Sequence, residues 1–302
     1  METETARDDG ITINRVHIAS QEASRRMGKP PGRYITLEAP ELRNKDVKTE
    51  DRLSVLLSRE IARIAGLEDE AEMKVMVVGL GNWNVTPDAL GPKVVEDLLV
   101  TRHVFELNHD KGMFSEGFRS VSAFSPGVMG VTGIETGEII HSIASSTNPG
   151  LIIAVDALAA YRLERLHTTV QITDTGVIPG SGVQNSRLGI NRETLGIPTI
   201  AIGVPTVVEA STLAGGAMEA IAESYRKTKG ESAPLGILGS MDWEEKRELV
   251  REVLAPFEGE NLMVTPKEID DFVDNVSQVI AGGLNTALHP KMSENEGGKY
   301  LQ

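Results

Sequence analysis

The chain has 302 residues, 40% hydrophobic and 25% charged, which is ordinary for a globular protein of one large domain or two small ones. A net charge of -14 argues against a broad nucleic-acid surface, which needs clustered Lys and Arg. The absence of cysteine excludes disulfides, cysteine nucleophiles and thiolate metal sites, and no apolar run is long enough to span a membrane.

In chain order, residues 1–30 are polar and end in Lys29-Pro30-Pro31-Gly32; the expectation is a flexible segment, open to removal or regulation. The acidic start lacks the apolar stretch of a signal peptide. Residues 31–290 form a single α/β domain in this reading, and 291–302 a polar tail. Tyr34 to Leu37 reads as a short strand. Leu53, Leu56, Leu57, Ile61 and Ile64 recur at helical spacing between Thr49 and Ala65. The apolar run Val75 to Val78 predicts a buried strand, followed by Gly79-Leu80-Gly81, a polar loop with Asp88, and an amphipathic helix after Pro92. His103-Val104-Phe105 and Ser120 to Phe124 are weaker strand candidates. Thr136 to Ser146 predicts a helix that Asn148-Pro149-Gly150 ends.

Leu151 to Val155 is a second continuous apolar run, expected as a central strand ending at Asp156. Val170 to Ile190, rich in Gly, Ser, Thr and Asn, reads as a long functional loop. Thr199 to Val204 is another buried strand, with a helix from Val208 to about Lys229. Residues 230–264 look peripheral, with a helix from Trp243 to Leu254. Thr265-Pro266-Lys267-Glu268 has the pattern of a capping box opening a last helix that buries Ile269, Phe272, Val276 and Ile280.

The motifs narrow the chemistry. Gly79-Leu80-Gly81 lacks the third glycine of a dinucleotide fingerprint, because Asn84 stands there, and no acidic residue lies about twenty positions on. The six His residues are scattered and form no ligand pair at helical spacing. Gly180-Ser181-Gly182 is not a nucleophile elbow. Asp88 and Asp156 remain. Each reads equally well as a helix cap or turn residue and as a site group. If their strands are neighbours, the two carboxylates share a crevice and one pKa is raised. One Asp then takes a proton from water while the other polarises a carbonyl, which is amide hydrolysis without a covalent intermediate.

The stretch from Gly79 to Pro92, with Tyr34 to Pro40, Leu98 to His103, Thr132 to Ile140, Ile152 to Ala160, the Gly-rich run 174–186 and Thr265 to Asp270, resembles the spore germination protease family. These endopeptidases degrade small acid-soluble spore proteins. The resemblance implies a three-layer α/β/α sandwich with a mostly parallel central sheet, related to the hydrogenase-maturation proteases. It implies an atypical aspartic peptidase with Asp88 and Asp156 as its catalytic pair. Asn82, Asp174 and Ser181 are the expected substrate-binding residues. It further implies a zymogen with a removable N-terminal propeptide, a homotetramer, and a place in the cytoplasm of the forespore and spore core. Family cut sites have a Thr/Ser-Glu-aliphatic/aromatic-Ala pattern; Thr3-Glu4-Thr5-Ala6 resembles it but departs at Thr5. No cofactor, metal, nucleic acid or membrane is implied. The alternative is a metal-dependent peptidase of the hydrogenase-maturation type, whose relatives bind metal through two carboxylates and a His; no His here sits in a motif that supplies the third ligand.

Overall fold

In the computed structural model, residues 1–68, 70, 72–107, 117–179, 188–229, 241–258 and 262–292 are described. The chain enters the fold through a hairpin of β1 (Glu2–Asp8) and β2 (Ile11–Ile18). Its turn is Asp9-Gly10, with φ of 43° and 86°. Asp-Gly is favoured where a tight hairpin turn needs left-handed residues. Residues expected to be a flexible segment are therefore built into the sheet. Strand β2 buries Ile11, Ile13 and Ile18. Its polar Arg15 reaches Glu60, with Nε to Oε2 at 2.9 Å. Helix α1 (Gln21–Met27) follows, and β3 (Gly32–Glu38) pairs antiparallel with β2.

Helix α2 (Val47–Ala65) is capped by Asp46, whose side chain accepts from the Thr49 N–H, and buries the five predicted apolar residues. Strand β4 (Val75–Gly79) is buried throughout and leads to α3 (Leu90–Glu96). Where 103–105 is a strand candidate in sequence, the structure has helix α4 (Arg102–Leu107). An Arg102–Glu106 ion pair at 2.6 Å one turn apart supports it against the β preference of Val104 and Phe105. Then come β5 (Val121–Phe124), the short α5 (Met129–Thr132), α6 (Thr136–Thr147) and β6 (Leu151–Ala160). Strand β6 does not end at Asp156 but runs on to Ala160.

The expected loop from Val170 holds β7 (Thr169–Thr173) at its start and a bridge between Val177 and Ile190. Next are α7 (Arg192–Leu195), β8 (Thr199–Glu209), α8 (Ala210–Lys229), α9 (Trp243–Glu258), β9 (Met263–Val264) and α10 (Ile269–Leu288). The capping box does not form. Helix α10 starts at Ile269 with no side-chain cap. Glu268, not Thr265, stands at its N-cap, and the Thr265 hydroxyl donates to the Thr206 carbonyl at 2.8 Å.

The sheet order is β1-β2-β3-β7-β8-β6-β4-β5, with β9 on β8. Only β8-β6-β4-β5 run parallel, so the sheet is mixed and not mostly parallel. The pairs from β1 through β7 to β8 are antiparallel. Alternation along β4 separates the two faces. Val75 and Val77 pack with α2, α3 and α10, while Met76 and Val78 pack with Ile140 and Ala144 of α6. Helices thus cover both faces of the parallel half, giving three layers. Among the described residues no helix is long and apolar enough to cross a membrane.

Candidate active site

Two adjacent parallel strands deliver the site. Strand β4 pairs with β6, Gly79 opposite Val155, so Asp156 lies one residue beyond the end of β4. The Leu80 N–H donates to the Val155 carbonyl at 2.8 Å, fixing the start of the loop against β6. The loop then closes as a tight turn. The Val85 N–H donates to the Asn82 carbonyl at 3.1 Å, the Asp88 N–H to Val85 at 2.8 Å, and the Asn82 N–H to Asp88 at 3.1 Å. Gly81 makes this closure possible. Its φ is +114°, and an added Cβ would stand 1.9 Å from the Asp88 carbonyl oxygen.

Neither aspartate is a cap. Asp88 ends a 3-10 turn from Thr86, and the helix after it begins at Leu90, with Ala89 at its N-cap and no side-chain cap bond. Asp156 is an internal strand residue. Both carboxylates line one cavity of about 930 Å³, and both residues are half-buried. The cavity walls come from the Asp88 turn, from β6 through Leu158 and Ala159, from β8 through Pro205 and Thr206, and from Ile178 beyond β7. Burial pushes the Asp88 carboxyl up, partly offset by the Asn82 N–H. Burial and the neighbouring Asp88 charge push Asp156 up to about 7. This is the pattern of two carboxylates that cannot both ionise easily in one crevice.

Other predicted residues stand apart. Asn82 shapes the turn: its side-chain oxygen accepts from the Asn84 N–H at 3.0 Å. Asp174 is held by Arg33, through Nε at 2.7 Å and the Arg33 N–H at 2.7 Å, and does not line the cavity. Ser181 lies outside the described residues, as do the other positions from 180 to 187 of the Gly-rich run. Sequence reading missed Thr206, Lys29 and Arg165, which line the cavity from distant segments. Thr206 donates to the Pro87 carbonyl at 2.7 Å. A lone Thr in a strand gives no signal that could have singled it out.

A divalent metal needs a third ligand beside the two carboxylates. No group of three or more His, Asp or Glu side chains gathers among the described residues. His167 is not among the residues lining the cavity; its ring stacks on Phe272 at 3.8 Å and 6°, and its Nε2 lies 3.3 Å from the Thr206 carbonyl. The described residues do not assemble the two-carboxylate-and-His set.

The sequence matches the family model described as Germination protease over residues 1–232 and 218–301. The chain belongs to the germination protease family. It is 49% identical over 295 residues to the germination protease of Caldanaerobacter subterraneus subsp. tengcongensis, covering 97% of this chain and 90% of that one. It is 44% identical over 323 residues to that of Bacillus subtilis, covering 96% of this chain and 87% of that one. This family member is therefore a peptide-bond hydrolase, a spore germination endopeptidase. Among solved structures, a NiFe hydrogenase maturation protease from Thermococcus kodakarensis aligns with 72% of this chain and 98% of its own at 17% identity and a TM-score of 0.33.

Proposed function

We propose that Asp88 and Asp156 hydrolyse the peptide bond directly, Asp88 as general base and Asp156 as general acid. The observation that carries this is the shared cavity, in which Asp156 is the carboxyl raised to about 7. Asp88 takes a proton from water as the water oxygen adds to the scissile carbonyl carbon. Asp156 gives its proton to the carbonyl oxygen. On collapse the C–N bond breaks and the leaving nitrogen takes the proton held by Asp88. As the gem-diol collapses, Asp156 recovers its own proton from one of the diol's two hydroxyls, leaving the carboxylic acid product. No covalent intermediate forms.

The cavity suits an extended substrate that combines apolar and acidic side chains. Val85 and Ile178 are exposed at its wall, 47% and 51%, and can take an aliphatic or aromatic residue. Lys29 and Arg165 stand at the same cavity, and neither has an ion-pair partner among the described residues. Their charges repel, and a substrate carboxylate relieves that repulsion. This supports a Thr/Ser-Glu-aliphatic/aromatic-Ala cut site in small acid-soluble spore proteins, cleaved in the spore core. The zymogen and homotetramer belong to the same reading. Thr3 to Ala6 are paired in β1 with Ile13 to Val16, so processing there requires β1 to leave β2 first.

The test is cleavage of a purified small acid-soluble spore protein by the processed parent and its processed Asp88→Asn and Asp156→Asn variants, with and without a chelator. Each variant is expected to lose about 10²- to 10⁴-fold in kcat, the usual contribution of a general acid or base, with melting curves of a folded protein. Chelation is expected to leave the parent active. Full activity in both variants contradicts the carboxylate pair, and loss of parent activity on chelation favours the metal-dependent peptidase.

A further inference from the structure

Strand β8 carries one residue more than β6 at the level of the site. Leu158 pairs with Pro205 and Ala159 with Val207, leaving Thr206 without a partner in β6. Such a bulge bends the strand and re-aims the extra side chain. Thr206 is 1% exposed. Its hydroxyl donates to the carbonyl of Pro87, the residue before Asp88, at 2.7 Å. Its carbonyl accepts from the Thr265 hydroxyl at 2.8 Å and faces His167 Nε2 at 3.3 Å. The bulged residue is thus tied on both sides.

The Asp88 turn is closed mainly by its own backbone bonds, from the Asn82, Val85 and Asp88 N–H groups. Among the described residues, the Thr206 hydroxyl is the one side chain from outside the turn that hydrogen-bonds to it. Asp156 sits on β6, opposite Gly203 of β8. One strand therefore pairs with the residue bearing the second carboxylate and clamps the turn bearing the first.

We propose that the β8 bulge is a positioning device, and that Thr206 is a positioning residue that holds the Asp88 turn at a fixed separation from Asp156. The proposal rests on the aspartate pair being catalytic. Thr206 does not move a proton in the reaction. It restricts the turn, so that water bound to Asp88 stays aligned with a carbonyl held by Asp156. Loss of the hydroxyl frees the turn to swing outward, weakening both alignment and the influence of the Asp88 charge on Asp156.

The experiment compares Thr206→Val, which keeps the shape and removes the hydroxyl, with Thr206→Ser, which keeps the hydroxyl. Both are assayed on a fluorogenic peptide carrying the cut-site pattern, across pH and below their melting temperatures. Thr206→Val is expected to lower kcat by about 10- to 100-fold, the cost of a small misplacement of reacting groups, with little change in KM. The upper apparent pKa of its pH–rate profile should move down, because Asp88 no longer raises Asp156 as strongly. Thr206→Ser should restore both. If Thr206→Val does not fold, Thr206→Ala is measured in its place with the same expectations. A pH profile that stays put, or a serine variant as impaired as valine, overturns the proposal. Asp88→Asn and Asp156→Asn run alongside: should they stay active, the failure lies in the aspartate reading itself.

Discussion

The two halves of the sheet are stabilised in different ways. Strands β5, β4, β6 and β8 run parallel, and β4, most of β6 and most of β8 are buried as continuous apolar runs between helix layers. Strands β1, β2, β3 and β7 run antiparallel; β2 and β3 alternate in part, β1 is largely exposed, and polar residues are joined across to α2 by Arg15–Glu60 and Arg52–Asp8. The parallel half holds its shape by apolar burial and delivers both carboxylates at one end. The antiparallel half adds width and ion pairs, and it reaches the cavity through Gln171 of β7 and through Lys29 in the segment between β2 and β3. Apolar burial is concentrated around the strands that lead to the two aspartates.

Glycine substitution is the sharpest way to break this comparison. Gly81 and Gly10 both have left-handed φ, +114° and +86°, but only Gly81 has its space filled, by Asp88. Gly81→Ala should abolish measurable cleavage, by about 100-fold or more, since Asp88 must move. Gly10→Ala should cost only about 1–2 kcal/mol of backbone strain and leave kcat unchanged. Equal activity in the two variants would remove the distinction. Next in size is the parallel core. Ile153 is fully buried between β4 and β8, and Ile153→Ala should cost about 2–5 kcal/mol in denaturant unfolding.

The third prediction concerns pH. Asp156 has its folded pKa raised from 3.8 to about 7. Its charged form therefore destabilises the fold. The favourable contribution is complete below its unfolded pKa and is lost as pH rises through about 7. Asp156→Asn should be more stable than the parent at pH 8, by on the order of a few kcal/mol, and close to equal at pH 4. Parallel unfolding curves at both pH values would contradict this. The smallest effect belongs to the hairpin. Arg52 donates to Asp8 at 2.6 Å in a partly exposed pair, so Asp8→Asn should cost within about 1 kcal/mol, and less in high salt.

The same contrast explains what was legible in the sequence. Val75 to Val78 and Leu151 to Val155 are runs that only a doubly covered strand needs, and both aspartates were readable from them. Strand β2 was not, because Thr12, Asn14, Arg15 and His17 dilute its three isoleucines and its polar face is satisfied by partners far along the chain. In sequence, 103–105 reads as strand because Val104 and Phe105 outweigh an ion pair that only the helix Arg102–Leu107 forms. The capping box at Thr265 is absent because the helix starts only at Ile269, with Glu268 at its N-cap, so Thr265 lies outside the first turn. The bulge that makes Thr206 special is a mismatch between two strands and has no local signature. Asp174, an expected substrate-binding residue, is ion-paired with Arg33, a partner 141 positions away that no local pattern could signal.

The central claim is that Asp88 and Asp156 form one coupled acid–base pair. Its most direct test is a carbon-13 NMR titration of the Asp156 carboxyl, in the parent and in Asp88→Asn. The account predicts a midpoint near 7 in the parent and a lower one once the Asp88 charge is removed. A midpoint near 3.8, unmoved by Asp88→Asn, would contradict it.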